Sequence, residues 1–166
     1  MAAINDGRKL FVHKLGEALN MERTVLTMLK SNEQAATDPE VKRLFSHHRD
    51  ETEGQIRNLE QVFSSIGEKA AGHTCYGMEG MKKEGQDAIE KVAPELLDGA
   101  LAEGATHVEH YEIATYNGLI PHAETMGQQD VVALLQENLE QEQHTLQEVE
   151  RSAQRLAQRV ASRAVR

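Results

Sequence analysis

The 166-residue sequence contains no tryptophan, only 4% aromatic residues, three prolines and a single cysteine, Cys75. So few aromatic residues disfavour a large β-sheet, whereas the abundant Ala, Leu, Glu and Gln are good helix formers. A lone cysteine has no internal disulfide partner and belongs to no CxxC redox or zinc motif, so Cys75 reads as an inert thiol. No apolar run approaches the ~20 residues that span a bilayer, and the N-terminus lacks the apolar core of a signal peptide, so a cytoplasmic protein without membrane association is expected. The formal charge of −9 disfavours nucleic acid and anionic membranes as main partners, because both repel an acidic surface. The length suits one domain with a real core.

What is present is helical periodicity. A first long helix starts after a cap at Asp6 and runs to about Ser31, with Leu15, Ala18, Val25, Leu26 and Leu29 at three- and four-residue steps. A second opens at "TDPE", where Thr37 can cap, Glu40 completes a capping box and Pro39 suits the first turn; it stops at Gly67. Residues 68–75 read as a loop and Tyr76 to Lys91 as a shorter helix weakened by three glycines. Pro94 begins a third long helix that bends at Pro121 or ends near Gly127, and a fourth follows from about Gln128. Short connections within each helix pair and a long one between the pairs predict an all-α, ferritin-like four-helix bundle with one extra short helix in the crossover. Residues 1–150 form the bundle, and residues 151–166 form a basic helical extension. That tail carries Arg151, Arg155, Arg159, Arg163 and Arg166 without an acid. It is either a solvated helix end that complements the helix dipole or a docking stripe for an acidic partner.

Each long helix puts a glutamate on or beside its apolar line: Glu22, Glu51, Glu112 and Glu142. The separations of 29 residues from Glu22 to Glu51 and 30 from Glu112 to Glu142 repeat the arrangement in both helix pairs. Glu112 and Glu142 each lie 15 residues from Gly127, which brings them level at ~1.5 Å rise per residue. Four carboxylates in a bundle interior repel one another and lose hydration unless cations or protons neutralise them. Such a layer is the ligand set of di-iron and di-manganese proteins, which use Glu-x-x-His on two helices. Here the expected histidine positions hold Gly54 and Thr145. His48 lies one turn before Glu51 on the same face and can ligate from the other side. His144 sits about 200° around the helix from Glu142 and should point away, and His110 is similarly offset from Glu112. Asp50 with Glu53, or Glu109 with Glu112, are alternative frames. Taken singly, each glutamate reads sooner as a stripe-edge residue reaching solvent, and His48 as a hydrogen-bonded histidine at the core edge; the four glutamates together shift the balance toward a metal site.

The segments "LFVHKLGEALNMERTVLTML", "HRDETEGQIRNLEQVF", "CYGMEGM", "VEHYEIATYNGL" and "LLQENLEQEQHTLQEVE" resemble, in order, the YciE/YciF-type ferritin-like bacterial stress proteins. The "VEHYEIATY" block is the most specific, and the basic tail does not match. The resemblance implies a ferritin-like bundle, often a homodimer, in a family tied to stress whose activity is poorly defined. By position, Glu22, Glu51, Glu112 and Glu142 fall in the family's acidic blocks, and His48 fits its pattern. The expectation is therefore a metal site of Glu22, His48, Glu51, Glu112 and Glu142, with Glu53, Glu109 and His144 as secondary candidates. It would hold one or two iron or manganese ions and react with oxygen or peroxide. Competing with it is a non-enzymatic dimeric interaction protein with a degenerate, metal-free site, which the missing Glu-x-x-His motifs favour. Iron storage is a third option, without support for the cage it needs.

Overall fold

The computed structural model describes residues 4–164, with side chains through residue 162. Among the described residues there are five helices: α1 (Gly7–Ala35), α2 (Pro39–Ser65), α3 (Tyr76–Lys91), α4 (Pro94–Thr125) and α5 (Gln129–Ala164). Helices α1 with α2 and α4 with α5 are antiparallel neighbours, α2 packs on α5 and α1 on α4, and α3 lies against α1 and α4. The result is a ferritin-like four-helix bundle with a short helix in its crossover, as the helix count and connection lengths predict. Its core runs from Phe11, Leu15 and Leu19 through Phe45, Leu59 and Phe63 to Tyr116, Leu119 and Leu135, all fully buried.

Local chemistry explains the helix ends. Asp6 caps α1 by accepting from the Lys9 amide, and α1 continues to Ala35, past the expected stop at Ser31. The Ala36 amide closes the extra turn by donating to the Asn32 carbonyl. Helix α2 is capped by Asp38, whose side chain accepts from the amides of Glu40 and Val41, rather than by Thr37. Pro39 explains this correction: proline takes the first helical position, so the residue before it becomes the cap. Thr37 instead donates its amide and its hydroxyl to Asp98 of α4, both at 2.7 Å. At the far ends of α2 and α4, Gly67 (φ 72°) and Gly127 (φ 69°) adopt the left-handed conformation. The following amides bond back to the carbonyls of Phe63 and Ala123, the Schellman pattern that ends both helices.

Helix α4 passes through Pro121 without ending and stops at Thr125. Asn117, whose carbonyl loses its helical donor to the proline ring, is exposed, so water can replace that donor. Residues 151–164 continue α5 without a break. Ser152 and Leu156 are buried there, and Arg155 and Arg159 both reach Asp38 while Arg155 also reaches Glu40. Two arginines of the basic stripe are thus held by acids of the same chain. Arg151 stays near Glu148 on the surface. The side chain of Arg163 and all of Arg166 lie outside the described residues.

Candidate metal centre

Midway along the bundle a polar layer interrupts the apolar core. Glu22 of α1, Glu112 of α4 and Glu142 of α5 are fully buried, and His48 of α2 and Glu109 of α4 are 2% and 1% exposed. One ligand-capable atom from each of His48, Glu109, Glu112 and Glu142 lies within 4.8 Å of the others. The His48 ring sits between two carboxylates, with Nδ1 3.2 Å from Glu109 and Nε2 3.3 Å from Glu142. Glu22 is held differently: the Tyr116 hydroxyl donates to it, and the Asn138 amide donates to the same hydroxyl at 3.0 Å.

Of the glutamates placed inward by periodicity, Glu51 alone reaches the rim. Its side chain is 19% exposed, accepts from Thr145 at 3.3 Å and lies 3.5 Å from His47. Glu53 is exposed on the outer face of α2, outside the cluster. His144 is 61% exposed and faces Glu148 at 3.8 Å, as its offset from Glu142 requires. Glu109 stands at the centre of the cluster rather than in second place. Its signal was in the sequence: Ala102, Ala105, Glu109, Glu112 and Tyr116 form one line at three- and four-residue steps, and all five are buried. Gln55, one turn beyond Thr52 on α2, is also fully buried, and neither amide atom has a partner.

The electrostatics follow from crowding acids out of water. Burial, reinforced by the charge of Glu142, pushes the Glu22 carboxyl up to about 8. The carboxyls of Glu109 and Glu112 rise well above the usual range for the same two reasons, burial first. Burial alone would lower His48, but Glu142, Glu22 and Glu51 outweigh it and favour the imidazolium. Tyr116 is driven well above 10 by burial and by the charges of Glu22 and Glu142, so its hydroxyl remains a donor.

Both oxygens of Glu109, Glu112 and Glu142, and Oε2 of Glu22, have no hydrogen-bond partner. Buried carboxylate oxygens are rarely left so, and several orphaned together in one layer call for positive charge. Ligands bound at ~2.1 Å stand at most about 4.2 Å apart, so the cluster needs little contraction to enclose an ion. An oxygen-rich set with one imidazole suits hard or borderline cations such as Mn²⁺ or Fe²⁺. The donor set therefore fits a metal.

Residues 6–162 match the family described as a domain of unknown function, DUF892. The chain belongs to that family. Protein YciF of Escherichia coli (strain K12) is 35% identical to this DUF892 chain over 138 residues, 82% of the chain and 83% of YciF. The crystal structure of YciF, an E. coli stress protein, superposes with a TM-score of 0.89 at 31% identity, covering 93% of this chain and 99% of that one. A Rhodopseudomonas palustris protein, YcfI, proposed to be structural, gives 0.85 at 33% identity over 89% and 94% of the two chains. A Bacillus anthracis structure of ferritin-like, diiron-carboxylate proteins gives 0.70 at 16% identity over 90% of this chain and 99% of that one, a likeness of fold alone. No helix among the described residues is long and apolar enough to cross a membrane.

Proposed function

We propose that this DUF892 protein is a stress-associated metalloprotein that holds one or two iron or manganese ions in the mid-bundle layer and acts on oxygen or peroxide. The observation that carries this reading is the group of buried carboxylate oxygens without partners around His48. His48, Glu109, Glu112 and Glu142 would hold the first ion, and Glu22, with Glu51 at the rim, would complete a second position. Iron or manganese bound there would supply one-electron redox chemistry. Tyr116 and Asn138 would orient Glu22, Thr145 would orient Glu51, and the surrounding apolar residues would exclude bulk water. We place the protein in the cytoplasm as a homodimer, the arrangement that its family resemblance favours.

A second reading is a metal-free structural or interaction protein. In its favour, Gly54 and Thr145 occupy the positions where di-metal bundles carry histidine, and the raised carboxyls of Glu22, Glu109 and Glu112 let protons do a cation's work. Elemental analysis of protein purified without a His-tag or chelator separates the two, repeated for Glu112→Gln. One to two irons or manganeses per chain, lost in the variant, is the expected result. No metal, even after anaerobic Fe(II) reconstitution, would sink the first reading and leave the second.

A further inference from the structure

The short helix α3 does more than bridge the helix pairs. Between α1, α3 and α4 it roofs a cavity of about 200 Å³ that opens to the surface and ends on the polar layer. Its walls are apolar, chiefly Val25, Leu29, Phe45, Leu101 and Val108. At its inner end stand His48 and Glu109, both almost fully buried, with His48 Nε2 and both Glu109 oxygens lacking hydrogen-bond partners. At its mouth are the exposed Glu84, Glu103 and His107. Gly85 of α3 and Gly104 of α4 also line it, and a Cβ at either would meet nothing within 4 Å.

We propose that this cavity is a binding site for a small uncharged molecule with an apolar body and one polar group, seated with that group against His48 and Glu109. Each part of the description follows from the lining. Aliphatic cavities of about 150 Å³ take up benzene, so this one admits a body of about that size or slightly larger. An apolar wall with a few convergent polar groups is the usual make-up of a small-molecule site. Glu84 and Glu103 at the mouth repel anions, and any ion, anion or cation, would lose its water against the aliphatic walls. The assignment names an organic co-substrate, beside the oxygen or peroxide, for the proposed metal centre, and rests on that reading for what happens at the inner end, though not for binding itself.

The test is calorimetric titration of the full-length protein with p-cresol, and with benzoate as an anion of similar size, alongside metal analysis of the same preparation. One saturable p-cresol site per chain, with benzoate at least tenfold weaker, is expected. Gly85→Leu combined with Gly104→Leu should fill the mouth and abolish binding without lowering Tm or metal content. Should the pair disturb folding, Ala105→Leu, placed deeper in the same cavity, replaces it. Absence of p-cresol binding, equal binding of benzoate, or full binding by a folded blocked variant would overturn the proposal. Metal without p-cresol binding removes the pocket and keeps the centre, whereas p-cresol binding by protein that takes up no metal keeps the pocket and removes the centre.

Discussion

Arg155 grips Asp38 with both ends of its guanidinium, Nη1 to Oδ2 at 3.1 Å and Nη2 to Oδ1 at 3.0 Å. Asp38 is at the same time the N-cap of α2, so one carboxylate starts that helix and anchors the last turns of α5. The hydrogen bonds from Arg155, with those from the Val41 and Glu40 amides, hold its carboxyl down at about 2. A carboxyl whose folded pKa lies below its unfolded value stabilises the fold above the unfolded pKa, and that stability is lost as pH falls through the folded one. The ionised carboxylate, through its arginine and amide partners together, should therefore contribute at most about 2 kcal/mol at neutral pH, fading between about pH 4 and 2. Asp38→Ala should lower Tm by roughly 5–10 °C at pH 7, with the gap to the parent closing at the acid end of the range. Thermal melts of both proteins from pH 7 to pH 2 check it; a gap that stays constant with pH would show that the ion pair contributes nothing.

The buried acids predict the opposite slope. Glu22, at about 8, and Glu109 and Glu112, well above the usual carboxyl range, keep protons in the folded protein that the unfolded chain releases near 4.5. Their contribution is complete below about pH 4.5 and is lost as pH rises toward 8, at about 1.4 kcal/mol per pH unit for each retained proton. Chelator-treated protein should accordingly be more stable at pH 5 than at pH 8. Metal would replace those protons, so Fe(II) or Mn(II) should flatten the profile and raise Tm most at the higher pH. Melts at both pH values with and without each ion decide it, and a flat metal-free profile would contradict the charge assignment of the layer.

Tyr116 is the pivot between the layer and α5. Its hydroxyl donates to Glu22 and accepts from Asn138, which also donates to the Gln55 carbonyl at 3.3 Å and accepts from Asn58 at 2.8 Å. Tyr116→Phe keeps the ring's packing but strips the buried Glu22 of the one hydrogen-bond donor it has among the described residues. An unsatisfied buried group costs about 1–3 kcal/mol, more when charged. The variant should lose roughly 3–9 °C in Tm as metal-free protein and recover part of that on metal addition. Equal losses with and without metal would detach Tyr116 from the metal centre.

Features written in neighbouring residues were legible in the sequence. Asp6, Pro39 and Pro94 mark helix starts, and Gly67 and Gly127 mark ends, because capping and φ preferences act within a turn or two. Thr37 reads as a cap in the sequence, but its acceptor, Asp98, lies 61 residues away on another helix. The same distinction runs through the layer. Helical period places Glu22, Glu112 and Glu142 inward and His144 outward, as found, since each depends only on its own helix. Glu109 is legible in the same way, on the α4 line of Ala105, Glu112 and Tyr116, whereas the place of Glu51 at the rim depends on how α2 rotates against its neighbours, a tertiary choice that no spacing within one helix expresses.

Glycines give the sharpest local contrast. The loop before α3 crosses α1 so closely that the His73 amide bonds to the Gly16 carbonyl at 2.9 Å, and a Cβ on Gly16 would meet the Ala71 carbonyl oxygen at 2.7 Å as well as the His73 ring. Gly80, in the middle of α3, faces open space. The same substitution should therefore act in opposite directions at the two sites. Gly16→Ala forces the loop off α1 and should cost about 1–3 kcal/mol, as overpacking does, freeing the Cys75 amide that Asn20 holds at 2.7 Å. Gly80→Ala removes backbone freedom from the unfolded chain without a clash and should stabilise by about 0.5–1 kcal/mol. Urea melts of the two variants against the parent measure both. Because Cys75 is buried at the end of that loop, its reaction with a thiol reagent should quicken in Gly16→Ala and remain slow in Gly80→Ala. A slow thiol in both would mean that the loop stays seated without the glycine.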